Sequence, residues 1–238
     1  MEKVGKVLYN KFGGLDMGKI LVIEGTDCSG KETQTKMLME RLIKEGYVVK
    51  SMDFPRYETP TGKIFGGPYL GKPEICEGWF KEGANAVDAK VASLYSAADR
   101  RYHLNEIKDM VKNSDLVLLD RYTFSNMAHQ GGKILDDDKR KDMYKFLETL
   151  EFELLHLPRP DEVIFLYMPF EASQKLKGNR KNLDQHETST ENQIHAIKTY
   201  LELAKLYNFK QVNCTDKERI KSIEEIHEEV YKLAKKII

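Results

Sequence analysis

The chain has 238 residues, of which 41% are hydrophobic and 32% are charged. Lysine plus arginine and aspartate plus glutamate number 38 each, so no net charge attracts nucleic acid or an anionic membrane. No apolar run approaches the roughly 20 residues that span a bilayer, and three cysteines without metal-ligand spacing favour a reducing, cytoplasmic setting over a disulfide framework.

The chain divides into a short leading segment and one domain. Residues 1–16 lack the long apolar segment of a secretory signal, and Gly13 and Gly14 separate them from the rest of the chain. We therefore expect residues 1–16 to be a loose extension. Residues 17–238 are expected to form a single domain, because α/β domains of this length are often undivided.

Short apolar runs alternate with longer segments of helical periodicity along the domain. Strands are predicted at 20–23, 47–54, 115–120, 162–168 and 209–213. Helices are predicted at 31–45, within 53–71, and at 84–113, 138–156, 170–177, 190–207 and 219–238. The alternation predicts an α/β fold, a three-layer doubly wound domain around a five-stranded parallel sheet.

Polar clusters follow three of the predicted strands, at residues 25–31, 54–57 and 120–122. In folds of this class, ligands bind at the carboxyl ends of the strands. The three clusters are therefore expected to meet at one edge of the sheet and to form one site there.

The first cluster has the spacing of a phosphate-binding P-loop. Gly25 is followed by four residues, Gly30 and Lys31, between a predicted strand and a predicted helix. Loop amides and the helix N-terminus favour a phosphate, and Lys31 adds positive charge for the β and γ oxygens. The motif departs from its usual form at the next position, where Glu32 replaces the hydroxyl residue that holds magnesium, and Thr33 follows it.

Asp120 closes an apolar strand, a position from which an acidic side chain reaches magnesium directly or through water. The alternative is that Asp120 and Arg121 only cap the next helix, since aspartate is a favoured cap. Arg56, Arg100 and Arg101 suggest a second anion site, because guanidinium groups suit phosphate oxygens. Each of them taken alone is better explained as a solvated surface residue.

Residues 178–189 have the composition of a closing lid. Gly178 provides a hinge, Arg180 and Lys181 are basic, and acidic residues follow. A lid would exclude water from phosphoryl transfer. An ordinary surface loop explains the same composition.

Six segments together make the chain resemble the thymidylate (dTMP) kinases, a family of P-loop nucleoside-monophosphate kinases. The segments are 23–34 (IEGTDCSGKETQ), 53–57 (DFPRY), 94–100 (LYSAADR), 120–125 (DRYTFS) with Gln130 and Gly131, 157–161 (LPRPD), and the lid. The resemblance covers roughly residues 17–238, and the 120–125 element is its most specific part.

The resemblance implies phosphorylation of dTMP to dTDP by ATP with Mg²⁺. Lys31, Asp27, Arg121 and Arg180 would be catalytic, with Arg121 bridging the two phosphates. Arg180 would reach the transferring phosphoryl group, since the loop position where some relatives carry an arginine is Cys28. The ATP-binding residues would be Gly25, Thr26, Asp27, Cys28, Ser29, Gly30, Lys31, Glu32 and Thr33. The metal would be held by Asp120 with Glu32 or Thr33.

The resemblance also implies an acceptor site for dTMP. Its residues would be Phe54, Arg56, Tyr95, Arg100, Ser125, Asn126 and Gln130. Many relatives carry an aromatic residue four positions before the helix arginine, where it stacks on thymine. Here that position is Ser96, and Tyr95 lies five before, so stacking by Tyr95 is one interpretation and core packing the other.

Two other functions remain open from sequence. One is a kinase for a different nucleoside monophosphate or for a deoxynucleoside, and the other is a P-loop protein that binds nucleotide without transferring phosphate. The resemblance implies a homodimer formed through the helix near 84–113, and no nucleic-acid or membrane partner is expected.

Overall fold

A computed structural model of the protein describes residues 17–177, 189–217 and 219–238. The predicted extension 1–16 lies outside the described residues, and so do residues 178–188 of the predicted lid, including Arg180.

The domain is built around a parallel sheet of five strands in the spatial order β2-β3-β1-β4-β5. The strands are β1 (Lys19–Gly25), β2 (Val49–Asp53), β3 (Leu116–Asp120), β4 (Glu162–Tyr167) and β5 (Lys210–Asn213). A separate hairpin pairs β6 (Thr215–Asp216) with β7 (Arg219–Ile220). The predicted five-stranded parallel sheet is confirmed.

Nine α-helices occur within the described residues. They are α1 (Lys31–Lys44), α2 (Pro60–Ile64), α3 (Ala89–Tyr102), α4 (Leu104–Lys112), α5 (Thr123–Gly132), α6 (Asp137–Glu148), α7 (Phe170–Lys177), α8 (Thr190–Leu206) and α9 (Ile223–Ala234). Two π-helical stretches, Phe65–Tyr69 and Thr149–Leu154, extend α2 and α6. No helix in this part of the chain is long and apolar enough to cross a membrane.

The apolar run of β1 explains the three layers. Ile20 and Val22 pack into one hydrophobic core, while Leu21 and Ile23 pack into a second, because successive side chains of a strand point to opposite faces. The first core is completed by α4, α5, α6 and α8, and the second by α1 and α9. Because β1 lies between β3 and β4, the carboxyl ends of these three strands meet at one edge.

The single helix predicted over 84–113 is wrong in detail. In the structure the helix begins only at Ala89, where the Asp88 side chain accepts hydrogen bonds from the first-turn N–H groups. A break at His103 then divides it into α3 and α4. The His103 ring lies between Thr59, 3.3 Å from Nε2, and Glu106, 3.2 Å from Nδ1. The periodicity of the sequence shows neither the cap nor these contacts across the fold.

Two other element boundaries also differ from the sequence prediction. The last helix starts at Ile223 rather than 219, because Ser222 and Glu225 form a capping box and Arg219 belongs to the hairpin. The buried helix α5 (Thr123–Gly132) has no counterpart in the sequence prediction. It runs from the end of β3 along the predicted acceptor site.

Candidate active site

The loop between β1 and α1 has the backbone shape that phosphate binding requires. Cys28 and Gly30 have positive φ angles of 57° and 81°. Helix α1 begins at Lys31 with no side-chain cap, so its first N–H groups face the loop. A Cβ atom on Gly25 would lie 2.8 Å from the Leu166 carbonyl oxygen, so glycine is required where β4 passes. The result is a concave set of amides suited to an anion.

Lys31 folds back over this loop. Its Nζ donates to the carbonyl oxygens of Gly25 and Thr26, at 3.1 Å each. Burial lowers the pKa of Lys31 to about 8, the positive charge of Arg121 contributes in the same direction, and the carboxylate of Asp120 opposes both. A phosphate that replaced the two carbonyl contacts would restore the preference for the charged form.

The loop is tied to the neighbouring strand through Thr26. The Thr26 hydroxyl donates to the Met168 carbonyl at 2.9 Å and accepts from the Met168 N–H at 2.8 Å. The Cys214 thiol lies beneath the loop, with Sγ 3.7 Å from the Ser29 carbonyl oxygen. The P-loop is therefore held from the β4 side and from below.

Asp27 is the acidic residue of the loop. Burial alone would raise its pKa, but Lys177, Lys31 and Arg121 outweigh that effect and hold the pKa at about 2. The Lys177 Nζ lies 2.9 Å from Asp27 Oδ2. Asp27 is therefore an ionised carboxylate at every physiological pH.

Arg121 is placed by an unusual backbone conformation directly after β3. Its φ angle is 64°, in the left-handed region, and its N–H donates to the Ile23 carbonyl at 3.0 Å. The guanidinium Nη1 lies 3.5 Å from Ser125 Oγ. Arg121 thus stands beside the P-loop strand.

Glu24, which sequence reasoning passed over, organises this turn. It is fully buried and accepts from Tyr122 N–H at 2.9 Å, Ser125 N–H at 3.0 Å, Ser125 Oγ at 2.7 Å and Tyr200 Oη at 3.0 Å. Burial raises the pKa of Glu24, although the Ser125 hydrogen bond opposes the rise. The carboxylate fixes the turn that carries Arg121 to the P-loop strand.

The predicted metal ligand Asp120 stands at the end of β3, in register with Ile23 of β1. Burial raises its pKa, Lys31 and Arg121 act in the opposite direction, and the carboxylates of Asp53 and Glu32 add to the rise. The mutual repulsion among these carboxylates is what a divalent cation would relieve.

The residues present fit Mg²⁺ held in the usual way. Among the described residues no three or more histidine, cysteine or acidic side chains form a metal cage. Mg²⁺ usually takes one or two carboxylates, several waters and substrate phosphates rather than such a cage. Asp120 would supply one ligand, and the exposed side chains of Glu32 and Thr33 in the first turn of α1 would face the same ion or its waters.

A cavity opens beside the P-loop, along α5 and α8. Its wall includes the predicted site residues Thr26, Asp27, Phe54, Arg100, Arg121, Ser125, Asn126 and Gln130. Asp27 and Arg121 belong to both this wall and the phosphate end of the site. The cavity therefore leads from the P-loop into the interior, as an acceptor site should.

Arg100 lies on the cavity wall but already has a buried partner. Its Nη2 donates to Glu151 Oε1 at 2.7 Å and its Nε to Glu151 Oε2, and the two side chains are 4% and 0% exposed. Asn126 Nδ2 donates to the same carboxylate at 2.9 Å. Glu151 escaped sequence reasoning because it lies in a segment with ordinary helical periodicity.

Arg56 and Arg101 point elsewhere. Arg56 donates to Glu58 at 3.0 Å and to Glu106 at 2.8 Å, and it does not line the cavity. Arg101 is exposed on α3. Of the three predicted anion-binding arginines, the structure brings only Arg100 to the cavity wall.

Tyr95 packs away from the cavity, against aromatic neighbours. Its ring stacks on Tyr69 at 5.7 Å between centroids and contacts Phe80 edge-on. Ser96, rather than Tyr95, lines the cavity. Tyr95 therefore follows the core-packing interpretation in this structure.

Two buried acceptors on the cavity wall lack protein donors. Asn126 Oδ1 and Gln130 Oε1 have no hydrogen-bond partner within the described part of the chain. An unpaired buried acceptor is costly, and a ligand N–H would satisfy it. This suits a nucleobase edge that carries a donor.

Lys133 lines the cavity and binds a segment of its wall. Its Nζ donates to the carbonyl oxygens of Ala84 and Val87 at 3.0 Å each and to Tyr69 Oη at 3.3 Å. Burial lowers the pKa of Lys133 to about 8. The lysine thereby fastens residues 65–88 as part of the cavity wall.

Comparison with known proteins identifies the family of the chain. The Thymidylate kinase family matches residues 23–230. The chain is 31% identical to a probable thymidylate kinase of Thermococcus onnurineus, over 90% of this chain and 95% of that protein. It is 31% identical to the Plasmodium falciparum thymidylate kinase, over 92% and 91%. The human thymidylate kinase is 29% identical, over 93% and 92%.

A solved structure points to the same fold. The thymidylate kinase of Candida albicans superposes with a TM-score of 0.70 at 24% identity, covering 92% of each chain. Together with the family match over most of the chain, the resemblance inferred from the six sequence segments is confirmed. The chain belongs to the thymidylate kinase family.

Proposed function

We propose that this protein transfers the γ-phosphoryl group of ATP to dTMP, giving dTDP and ADP. Family membership supports the reaction. The observation that carries it is the position of Arg121, which lines the acceptor cavity and is also close enough to Lys31 of the P-loop to lower its pKa. One guanidinium thus serves both phosphate tails, as transfer between two bound phosphates requires.

Catalysis rests on position and charge. The P-loop residues from Gly25 to Thr33 bind the ATP phosphates through backbone N–H groups, and Lys31 adds its ammonium group. Arg121 stabilises the charge that develops between donor and acceptor. Asp27 faces the acceptor sugar or the water shell of the metal, and Arg180 of the predicted lid reaches the transferring group. No covalent intermediate is needed.

The acceptor lies in the cavity along α5. Phe54 packs against the nucleoside, while Ser125, Asn126 and Gln130 face its base and sugar. Asn126 Oδ1 and Gln130 Oε1 accept hydrogen bonds from the base. Arg100 contributes a guanidinium edge that is already oriented by Glu151. Tyr95 supports this wall from behind Ser96.

In this proposal Arg56 must exchange its present ion-pair partners for the acceptor phosphate. In the structure its guanidinium is paired with Glu58 and Glu106. Both glutamates are largely exposed, so the pairs are weak, and an acceptor phosphate competes well for the guanidinium.

Mg²⁺ accompanies ATP in the proposed reaction. Asp120 with Glu32 or Thr33 holds it, and when bound it neutralises phosphate charge. A homodimer through α3 is supported by its outward apolar residues Val91 and Leu94, which are 43% and 50% exposed. A cytoplasmic location is supported by the three cysteines, all within the described residues, which form no disulfide.

The proposal is tested with purified protein, ATP, Mg²⁺ and a panel of nucleoside monophosphates and deoxynucleosides. We expect ADP release that depends on dTMP. Lys31→Met should abolish it, whereas Lys36→Met, on the exposed side of the same helix, should not. Strong turnover of another acceptor without dTMP turnover would overturn the substrate assignment. ATP binding without any acceptor-dependent ADP release would favour a non-catalytic nucleotide-binding protein.

A further inference from the structure

Helix α7 directs one of its two C-terminal lysines into the active site. The side chain of Lys177 is 6% exposed and its Nζ lies 2.9 Å from Asp27 Oδ2. Lys175, on the same last turn, is exposed to solvent. Burying an ammonium group is costly unless it is paired, so the position of Lys177 depends on its partner in the P-loop.

The contact is made across a rigid junction. Thr26, the neighbour of Asp27, is bound on both sides of its hydroxyl to the backbone of Met168, just before α7. The base of α7 is therefore fixed relative to the P-loop. Ser173, in the middle of the helix, lines the acceptor cavity. Lys177 thus reaches Asp27 from a helix that is attached to the P-loop and also borders the acceptor cavity.

Three cations surround the Asp27 carboxylate. Lys177 lowers the pKa of Asp27 the most, followed by Lys31 and Arg121. The last two are the groups that must bind phosphate oxygens. An Asp27 without Lys177 would be left with Lys31 and Arg121 as its neutralising partners, and it would compete with the phosphates for them.

We propose that Lys177 is a positioning residue of this kinase: it neutralises and orients Asp27, and so leaves Lys31 and Arg121 for the phosphates of the two substrates. The inference rests on the proposed function and adds to it a residue that the sequence motifs do not mark. It also explains why a lysine is buried at the end of a helix whose neighbouring lysine is solvated.

A double-mutant cycle tests this role. Lys177→Met should lower kcat/KM for dTMP by about tenfold or more, the expected scale for losing a hydrogen bond between charged groups. Lys177→Arg should restore most of the loss, and Lys175→Met should have no effect. In an Asp27→Asn background, Lys177→Met should cost little further, because its partner no longer carries a charge. A wild-type rate in Lys177→Met, or an equal loss in both backgrounds, would overturn the proposal.

A second measurement does not depend on turnover. Carbon-13 NMR of aspartate carboxyl groups in the free protein should show a higher pKa for Asp27 in Lys177→Met than in the wild type or in Lys175→Met. An unchanged Asp27 pKa contradicts the inference even if dTMP is phosphorylated. A raised pKa in a protein that phosphorylates no dTMP would support the pairing and overturn only the proposed function. If Lys177→Met does not fold, Lys177→Gln, which keeps a polar tip, replaces it in both measurements.

Discussion

Arg100 and Glu151 form an ion pair that is almost completely buried, with Arg100 Nη2 2.7 Å from Glu151 Oε1. Removing one partner of such a pair leaves a buried charge without compensation, which typically costs about 3–5 kcal/mol. We therefore expect Glu151→Ala to lower the free energy of unfolding by an amount in this range, measured by urea denaturation.

The matched control replaces both partners. Arg100→Met with Glu151→Leu should recover most of the stability, because apolar residues of similar volume often substitute for a buried pair without loss. The KM of that double variant for dTMP then reports the joint contribution of Arg100 and of Asn126, which Glu151 also holds, to acceptor binding, separated from the effect on folding. A double variant as unstable as Glu151→Ala would contradict this role of the pair.

Replacing Glu24 should lower the activity as replacing a catalytic residue would, although Glu24 is not proposed to contact a substrate. Glu24→Ala leaves the N–H groups of Tyr122 and Ser125 buried without an acceptor, and we expect a loss of about 3–5 kcal/mol in unfolding free energy and a lower turnover rate. Tyr200→Phe removes only one of its donors and should cost about 1 kcal/mol. Equal losses in the two variants would show that the carboxylate does not organise the turn.

The pKa of Lys31 gives the pH profile its direction. In the free enzyme this pKa lies near 8, chiefly because the ammonium is buried, and only the charged form below that pH binds phosphate well. We therefore expect kcat/KM for ATP, measured at saturating acceptor, to fall as the pH rises above about 8. Bound phosphate favours the charged lysine, so the corresponding fall in kcat should occur at higher pH. Coincident basic limbs in the two profiles would argue against Lys31 as the titrating group.

Glu32 should affect the magnesium requirement. The side chain adds negative charge near Asp120, where the metal is proposed to bind. We expect Glu32→Ala to raise the Mg²⁺ concentration that gives half-maximal activity several-fold. Glu40→Ala, on the exposed surface of the same helix, is the control. An unchanged Mg²⁺ dependence would leave Asp120 and the phosphates as the ligands that matter.

The sequence predicted the parts of the site whose chemistry is local. The P-loop is marked by the spacing of Gly25, Gly30 and Lys31, and Asp120 is marked by its place at the end of an apolar run. These residues need only a strand, a turn and a helix to acquire their positions. The five strands followed from the same alternation of short apolar and longer helical segments.

Residues that act through distant partners could not be found in this way. Glu24 is 98 positions from Tyr122 and 176 from Tyr200, and it looks like any residue before a glycine loop. The partner of Lys177 is 150 positions away. A single sequence carries no signal for such pairs. The ion pair between Arg56 and Glu106 could not be predicted for the same reason, since the sequence shows the charge of Arg56 but not the direction of its side chain.

The fastening of residues 65–88 by Lys133 has a consequence for how this protein can change. Two of its three acceptors are main-chain carbonyl oxygens, those of Ala84 and Val87, which every amino acid possesses. Replacing Leu70 or Asn85, which belong to the same segment and line the cavity, therefore keeps this attachment while altering what the segment presents to a nucleoside. Acceptor preference can then drift through one loop during evolution, with the machinery that handles phosphate left untouched.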